Sequence, residues 1–181
     1  MKLIIGLGNP EPDYSNTRHN AGKDILNLFA KTNEATFNFD KSYNLHTFKL
    51  SNKSIIVKPD CYMNESGLSI AKIINFYKLD HSDVMVLYDE LDIILGEYKL
   101  CLGKGSNIHN GIVSLYNALG AKDFWHLRIG VRDENIPMSV KKEGIDPKAY
   151  VLEKLSITDR NKLIYLYETK LEQELLRFLG T

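Results

Sequence analysis

The chain has 181 residues, 44% of them hydrophobic and 25% charged, which suits one folded domain over residues 1–181 and is too short to argue strongly for two. The formal net charge is zero, so no global electrostatic field attracts a polyanion, and any nucleic-acid partner must bind to a local basic face. No apolar run reaches the roughly 20 residues that span a bilayer, so we expect no membrane-spanning segment.

The first half of the chain predicts strands that alternate with helices. The predicted strands are Lys2–Leu7, Tyr43–Leu50 and Ser54–Val57. The first strand ends in the turn sequence Gly8-Asn9-Pro10, and the prolines at positions 10 and 12 favour extended backbone up to about Thr17. A helix with an apolar face around Phe29 follows, and Gly67 begins a second helix.

The second half continues the alternation. Its predicted strands are Val84–Tyr88, Glu97–Leu102 and His126–Val131. A polar loop, Gly103–Gly111, leads into a short helix, Ile112–Leu119, and a charged surface loop covers Arg132–Pro147. The last helix begins at a capping pair, Ser156 and Asp159, and ends at Gly180. Together the elements predict an α/β fold: a single domain built on a twisted mixed β-sheet flanked by helices on both faces.

The two cysteines point to a reducing compartment. Cys61 and Cys101 are far apart in the sequence and form no Cys-x-x-Cys pair, so we expect free thiols. The first residues enter a strand pattern at once and lack the features of a signal peptide. The expected location is therefore the cytoplasm.

Polar residues collect where the predicted strands end, which is where open α/β sheets usually place their chemistry. These residues are Asn9, His19 with its neighbours Arg18 and Asn20, Tyr62 and Asn64, Asp89, and His109 with Asn110. Taken singly, each has an ordinary structural interpretation. Asn9 suits a turn before proline, His19 a helix cap or an exposed position, and Asp89 a cap after its strand. His109 would then only shape its loop.

Other kinds of site have little support. Gly6 and Gly8 begin a dinucleotide-binding fingerprint, but Glu11 stands where the third glycine would fall, and no Walker lysine motif occurs. Asp89, Glu90 and Asp92 could bind a cation, but no histidine pair has the spacing of a zinc site. Nothing in the sequence favours Cys61 as a nucleophile over a structural thiol.

Several motifs, in order along the whole chain, resemble the bacterial-type peptidyl-tRNA hydrolases. The motifs are Gly6-Leu7-Gly8-Asn9-Pro10, Tyr14 with Thr17-Arg18-His19-Asn20-Ala21-Gly22, Tyr62-Met63-Asn64 with Ser66-Gly67, Asp89-Glu90-Leu91-Asp92, His109-Asn110-Gly111, Leu127-Arg128-Ile129-Gly130 and Tyr150-Val151-Leu152. Single pieces occur by chance, but the ordered set is specific. The resemblance implies hydrolysis of the ester that joins a peptide to tRNA, which releases the tRNA for reuse in translation.

The implied chemistry agrees with the residue types. Ester hydrolysis needs an activated water and a stabilised oxyanion, and it needs neither a metal nor a cofactor. A histidine with a pKa near ~6.5 can take a proton from water at neutral pH, so the resemblance makes His19 the general base. It implies that Asp89 fixes the tautomer of His19, in the manner of a catalytic triad with water in place of serine.

The resemblance also assigns the substrate contacts. It places Asn9 among the catalytic residues and implies that Asn9 senses the first peptide bond of the substrate. Asn64 and Asn110 would position the water or the ester carbonyl, while Tyr14 and Tyr62 would line the pocket near the terminal nucleotide. Phosphate contacts would come from Lys99 and Arg128, and the family implies a monomer.

This sequence departs from the family pattern at three places: Glu11 replaces a common glycine, Ser106-Asn107-Ile108 replaces a glycine-rich loop, and Cys101 replaces a second lysine beside Lys99. These departures concern the residues that would bind tRNA.

Two alternative functions stay open: a non-catalytic RNA-binding relative, as in plant organelle splicing subunits, and an amidohydrolase of small peptides. The hydrolase is favoured over the RNA-binding relative by the intact set of Asn9, His19, Asn64, Asp89 and Asn110. An amidohydrolase would act on its substrates without RNA.

Overall fold

A computed structural model describes residues 1–137 and 144–180 of the chain. One seven-stranded sheet organises the fold. Its strands are β1 (Lys2–Gly6), β2 (Asn38–Asp40), β3 (Leu45–Ser51), β4 (Ser54–Pro59), β5 (Val84–Ile94), β6 (Tyr98–Leu102) and β7 (Trp125–Arg132). The helices are α1 (Ala21–Thr32), α2 (Ser66–Tyr77), α3 (Asn110–Leu119), α4 (Pro147–Leu152), α5 (Ile157–Leu166) and α6 (Glu172–Leu179).

The strand order is β2-β3-β4-β1-β5-β7-β6. The four strands at the centre, β4, β1, β5 and β7, are parallel, whereas β3 and β6 run antiparallel to their neighbours. After β1 the chain forms β2, β3 and β4, all on one side of β1, and then forms β5 on the other side. The carboxyl ends of β1 and β5 therefore form the switch point of the sheet, which is the usual place for a binding crevice in this class of fold.

Each strand at the centre divides its side chains between two cores. On β1, Ile4 packs with α1, α5 and the end of the chain, while Leu3 and Ile5 pack with α2 and α3. This alternation follows from the two-residue period of a strand. Burial on both faces explains why β1 and the first half of β5 are nearly continuous apolar runs.

The start of α1 is pressed against the switch point. A Cβ placed on Gly22 would come within 2.3 Å of the Leu87 carbonyl oxygen of β5 and 2.8 Å of the Leu7 carbonyl oxygen. Only glycine allows this approach of helix to sheet. The turn before α1, which contains His19, is thereby brought against the carboxyl end of β5.

The predicted mixed sheet with helices on both faces is confirmed, and several details differ. The expected extended backbone before Thr17 is wrong: the segment forms turns, with the Tyr14 amide donating to the Pro10 carbonyl at 3.3 Å. A proline φ suits such turns as well as extended chain. Strand β5 does not end at Tyr88 but continues to Ile94, and β2 and α4 were not predicted.

The C-terminal helix is confirmed with one modification, a π-helical turn at Tyr167–Leu171. Its predicted N-terminus is confirmed in part, because the Ser156 hydroxyl accepts from the Asp159 amide at 3.1 Å while the Asp159 carboxylate pairs with Arg18. Of the predicted loop Arg132–Pro147, residues 138–143 lie outside the described ranges, and with them Lys141 and Lys142.

A fully buried histidine makes the stability of this fold depend on pH. His126 packs against Phe124 with ring centroids 4.4 Å apart, and burial lowers its pKa to about 4. The unfolded chain, with a histidine pKa near ~6.5, binds a proton that the folded chain does not. The free energy of unfolding should therefore fall between about pH 6.5 and about pH 4, by about 2–3 kcal/mol from this group.

Urea unfolding of wild type and His126→Phe at several pH values measures this effect. The free energy of unfolding of His126→Phe, relative to that of wild type, should increase as the pH falls. Asn38→Ala, at an exposed and uncharged residue of β2, is the control and should show no such trend. A pH-independent difference for His126→Phe would contradict the prediction.

Candidate active site

Three ionisable side chains meet at Asp89, in the middle of β5 and just beyond the carboxyl end of the neighbouring strand β1. The carboxylate oxygen Oδ1 of Asp89 lies 2.8 Å from Nδ1 of His19 and 2.8 Å from Nε2 of His109. The two imidazole rings lie 4.9 Å apart, and all three residues are at least 90% buried. Asp89 therefore holds two histidines on one oxygen, where the sequence predicted one.

Hydrogen bonding assigns the tautomers of the two rings. Nδ1 of His109 accepts from the Ile112 amide at 3.4 Å in the first turn of α3, so the proton of a neutral His109 is on Nε2, which donates to Asp89. His19 donates to the same oxygen through Nδ1. The remaining nitrogen of His19, Nε2, makes no hydrogen bond to any residue within the described ranges. His19, and not His109, can accept a proton from water.

The charges in this cluster support one another. Burial alone would raise the pKa of Asp89, but the charges and hydrogen bonds of His19 and His109 hold it well below its usual range. For His19, burial opposes protonation, while the charge and hydrogen bond of Asp89 favour it, and the net effect raises the pKa of the imidazole. Asp89 is thus ionised at neutral pH and stabilises the imidazolium that forms when His19 takes a proton.

The residues on both sides of His19 fix it in place. The Arg18 guanidinium donates to the Val131 carbonyl at 3.0 Å, lies over the Tyr150 ring at 4.5 Å and pairs with Asp159 at 3.4 Å. Asn20 is fully buried on the other side and bonds to the backbone of Asn9. Neither role was predicted from the sequence, because both depend on partners that are distant along the chain.

Asn9 lies at the end of β1 with its side chain oriented by a long-range contact. Its Oδ1 accepts a hydrogen bond from the Met63 amide at 2.9 Å, and Asn9 is one of the residues that line the cavity beside His19. The bland interpretation of Asn9 as a turn residue is therefore incomplete, since its side chain joins two segments at the site.

A cavity of about 300 Å³ opens beside His19 and contains most of the predicted substrate contacts. Tyr62, Asn64 and Asn110 line it, and the asparagines are exposed. Tyr62 is 54% exposed, and Tyr14 packs edge-on against it with ring centroids 6.3 Å apart. Tyr14 is not itself a lining residue of the cavity. Its contact is with the Tyr62 ring, and its predicted place near the terminal nucleotide stays a prediction.

Glu90, Ser106 and Lys148 also line the cavity, and the remaining wall is formed by apolar side chains. They are Met63, Leu91, Ile108, Pro147, Val151 and Leu152. Ile108 is 84% exposed in spite of its apolar side chain. The helix α4, which the sequence did not predict, supplies half of this wall.

Lys99 and Arg128, predicted for phosphate contacts, lie opposite each other on β6 and β7 and so share a face of the sheet. Lys99 is exposed. Arg128 is half-buried and donates from Nε and Nη2 to the Glu90 carboxylate at 3.1 and 2.8 Å. The structure thus brings the two cations together but gives one of them a carboxylate partner. Cys101, opposite His126, donates its thiol to the Lys104 carbonyl.

His19, Asp89 and His109 also have the composition of a metal site, with one ligand atom from each within 4.8 Å of the others. The sequence excluded zinc on the spacing of its histidines, but folding brings two of them together. The nitrogen–oxygen distances of 2.8 Å correspond to direct hydrogen bonds from each histidine to Asp89.

Among the described residues, no helix is both long and apolar enough to cross a membrane.

The chain is similar to proteins of known activity over nearly its whole length. Residues 3–177 match the family model described as peptidyl-tRNA hydrolase. A peptidyl-tRNA hydrolase of Mycobacterium avium is 39% identical over 161 residues, which covers 87% of this chain and 81% of that protein. One of Francisella tularensis is 41% identical over 134 residues, covering 72% of this chain and 70% of that protein.

A solved structure agrees with these sequence matches. The crystal structure of peptidyl-tRNA hydrolase from Acinetobacter baumannii superimposes with a TM-score of 0.84 at 27% identity. The superposition covers 99% of this chain and 89% of that chain.

Proposed function

The chain belongs to the peptidyl-tRNA hydrolase family, and from that membership we propose that it hydrolyses the ester between peptide and tRNA with His19 as the general base. The observation that carries the assignment of the base is the arrangement around Asp89. Both nitrogens of His109 are engaged, whereas Nε2 of His19 is available beside the cavity.

In the proposed mechanism a water molecule lies between Nε2 of His19 and the ester carbonyl carbon. His19 takes a proton from this water as it attacks, and the imidazolium is stabilised by Asp89 through Nδ1. Collapse of the tetrahedral intermediate expels the ribose oxygen, and His19 returns the proton to it. The products are a free peptide carboxylate and an intact tRNA end.

The exposed asparagines are proposed to stabilise the negative charge that develops on the carbonyl oxygen. Asn64, in the turn before α2, and Asn110, the first residue of α3, line the cavity, and each amide can donate without a charge of its own to desolvate. Tyr62, braced by Tyr14, offers an exposed aromatic ring on which the terminal base can stack.

The direct test is hydrolysis of N-acetyl-aminoacyl-tRNA by the purified protein, with and without excess chelator. We expect release of the N-acetyl amino acid at the same rate in both. Loss of activity in chelator would instead support a metal held by His19, Asp89 and His109. Binding of the tRNA without hydrolysis would support the RNA-binding alternative, and hydrolysis of small N-blocked peptides would support the amidohydrolase.

Phosphate contacts are proposed to come from Lys99 and Arg128. Since Glu90 occupies Arg128, the basic face is weak, and the log affinity for tRNA should depend only shallowly on log salt. Lys99→Ala should weaken binding and reduce the slope by about 0.7–0.9, which corresponds to one lost phosphate contact. Arg128→Ala should likewise weaken binding and reduce the slope. Cys101→Lys should tighten binding and increase the slope.

Filter binding over a salt series measures these slopes. Lys53→Ala is the control, because Lys53 is exposed in the β3–β4 turn at the amino end of β1, away from the site. If Lys99→Ala and Arg128→Ala both keep the wild-type affinity and slope, the proposed basic face is wrong.

We also propose that the protein acts in the cytoplasm as a monomer. Cys61 and Cys101 are free thiols, which supports a reducing compartment. The monomer rests on the family resemblance, and light scattering after gel filtration tests it.

A further inference from the structure

Asn9 is held so that only one of its polar atoms is available to a substrate. Its backbone amide donates to Asn20 Oδ1 at 2.8 Å, and its carbonyl accepts from Asn20 Nδ2 at 3.1 Å and from Lys23 Nζ at 2.8 Å. Its side-chain oxygen accepts from the Met63 amide at 2.9 Å. The remaining atom, Nδ2, is a donor and makes no hydrogen bond within the part of the chain that the structure describes.

The Lys23 side chain is buried beneath this asparagine. Lys23 is 2% exposed, and its stem packs so closely under the chain that a Cβ on Gly8 would lie 2.8 Å from Lys23 Cδ. Its ammonium bonds to the Asn9 carbonyl, and it forms no ion pair with a carboxylate among the described residues. Burial lowers the pKa of Lys23 to about 8, so the amine remains mostly protonated at neutral pH.

The acidic groups around Lys23 only partly offset its charge. Glu11 pairs with Lys58 at 3.3 Å, so these two charges largely cancel. Burial raises the pKa of Asp24 to about 7, with the nearby charge of Glu11 adding to the effect, so this carboxyl is partly neutral at physiological pH. Asp60 lies at the surface, 3.7 Å from His46. The charge of Lys23 beneath Asn9 is therefore only partly offset from below, while the ionised Asp89 lines the same cavity from β5.

We propose that Lys23 determines specificity: together with the donor of Asn9 it rejects aminoacyl-tRNA, whose amino acid carries a free α-ammonium, and admits substrates whose amino group is blocked as an amide. The inference rests on the proposed function. An amide carbonyl oxygen can accept from Asn9 Nδ2. A free ammonium has only donors to offer to that atom, and the charge of Lys23 repels it.

The expected size of the effect follows from Coulomb's law. Two unit charges about 10 Å apart, at an effective dielectric constant of about 20, repel enough to change an equilibrium constant roughly tenfold. A neutral residue at position 23 should therefore raise kcat/KM on unblocked aminoacyl-tRNA by about that factor. The donor of Asn9 would still favour the blocked substrate.

The test compares N-acetyl-aminoacyl-tRNA with the same aminoacyl-tRNA left unblocked, at pH 7, after subtraction of hydrolysis without enzyme. Lys23→Gln keeps a donor near the Asn9 carbonyl but removes the charge, and Lys23→Met removes both. We expect Lys23→Gln to lower the selectivity ratio about tenfold through a higher rate on the unblocked substrate. The Lys23→Met variant should show the same gain and also a lower rate on the blocked substrate.

Lys31→Gln is the matched control, since Lys31 lies on the same helix with its side chain exposed, and its selectivity ratio should equal that of wild type. Thermal unfolding of each variant checks that it is folded. If Lys23→Gln is folded and its rate on the unblocked substrate equals that of wild type, the charge of Lys23 does not set specificity and the inference is overturned. Failure of the wild type to hydrolyse even the blocked substrate would instead overturn the proposed function.

Discussion

His19→Ala is expected to remove nearly all hydrolysis of N-acetyl-aminoacyl-tRNA. General base catalysis by a positioned side chain contributes about 10²–10⁴ in rate, and no other described residue can replace this base. His109 is nearest, but its Nδ1 accepts from the Ile112 amide and its Nε2 donates to Asp89. The loss should therefore appear in kcat, while the affinity for tRNA changes little.

Single-turnover kinetics with enzyme in excess would separate these two quantities. His81→Ala is the matched control: its Nδ1 lies 2.8 Å from an Asp123 carboxylate oxygen, as that of His19 does from Asp89, but the pair is exposed and remote from the cavity. It should keep full activity. Hydrolysis by His19→Ala within a few-fold of wild type would refute the assignment of the base.

Asp89→Asn is expected to have a smaller effect, about 10- to 100-fold on kcat/KM, because the base survives and loses only its charged partner. The change should also move the pH profile. Asp89 raises the pKa of His19, and the base works only when it is neutral, so the acidic limb of wild type lies at a higher pH than burial alone would give. Without the carboxylate this limb should move to lower pH.

Rates measured from about pH 5 to about pH 9 would define the limb. A variant that was merely misfolded would lose amplitude without moving it. Asp123→Asn, which removes the carboxylate beside His81, is the control and should change neither quantity. An unshifted acidic limb in Asp89→Asn would show that Asp89 does not tune His19.

The sequence was sufficient to predict the pair of His19 and Asp89, because both lie in ordered motifs next to predicted elements. It was not sufficient for His109, whose loop conformation depends on a distant contact: the Ser106 amide donates to the Tyr88 hydroxyl at 3.0 Å, and the Ser106 hydroxyl accepts from the His109 amide. Hydrophobic periodicity cannot reveal such a contact, since it describes faces of elements and not the geometry of loops.

Lys23 was overlooked for a related reason. It lies three residues before Leu26, which places it on the buried face of α1. A pattern of apolar residues treats a lysine as a surface position, so the burial of this one could be found only in three dimensions. The short elements β2 and α4 were missed because they have too few residues to show a period.

The position of Asp89 inside β5 has a further consequence. Asp89 follows Leu87 by two residues, and Leu87 pairs with β1 on one side and with β7 on the other, so the part of β5 that leads to Asp89 cannot open locally without breaking the centre of the fold. Amide hydrogen exchange at Leu87 should therefore be as slow as global unfolding, while the amides of Asn64 and Ile108, in exposed turns around the cavity, should exchange much faster. The protein would thus keep its proton-transfer apparatus rigid and leave the surfaces that receive different peptides free to adapt.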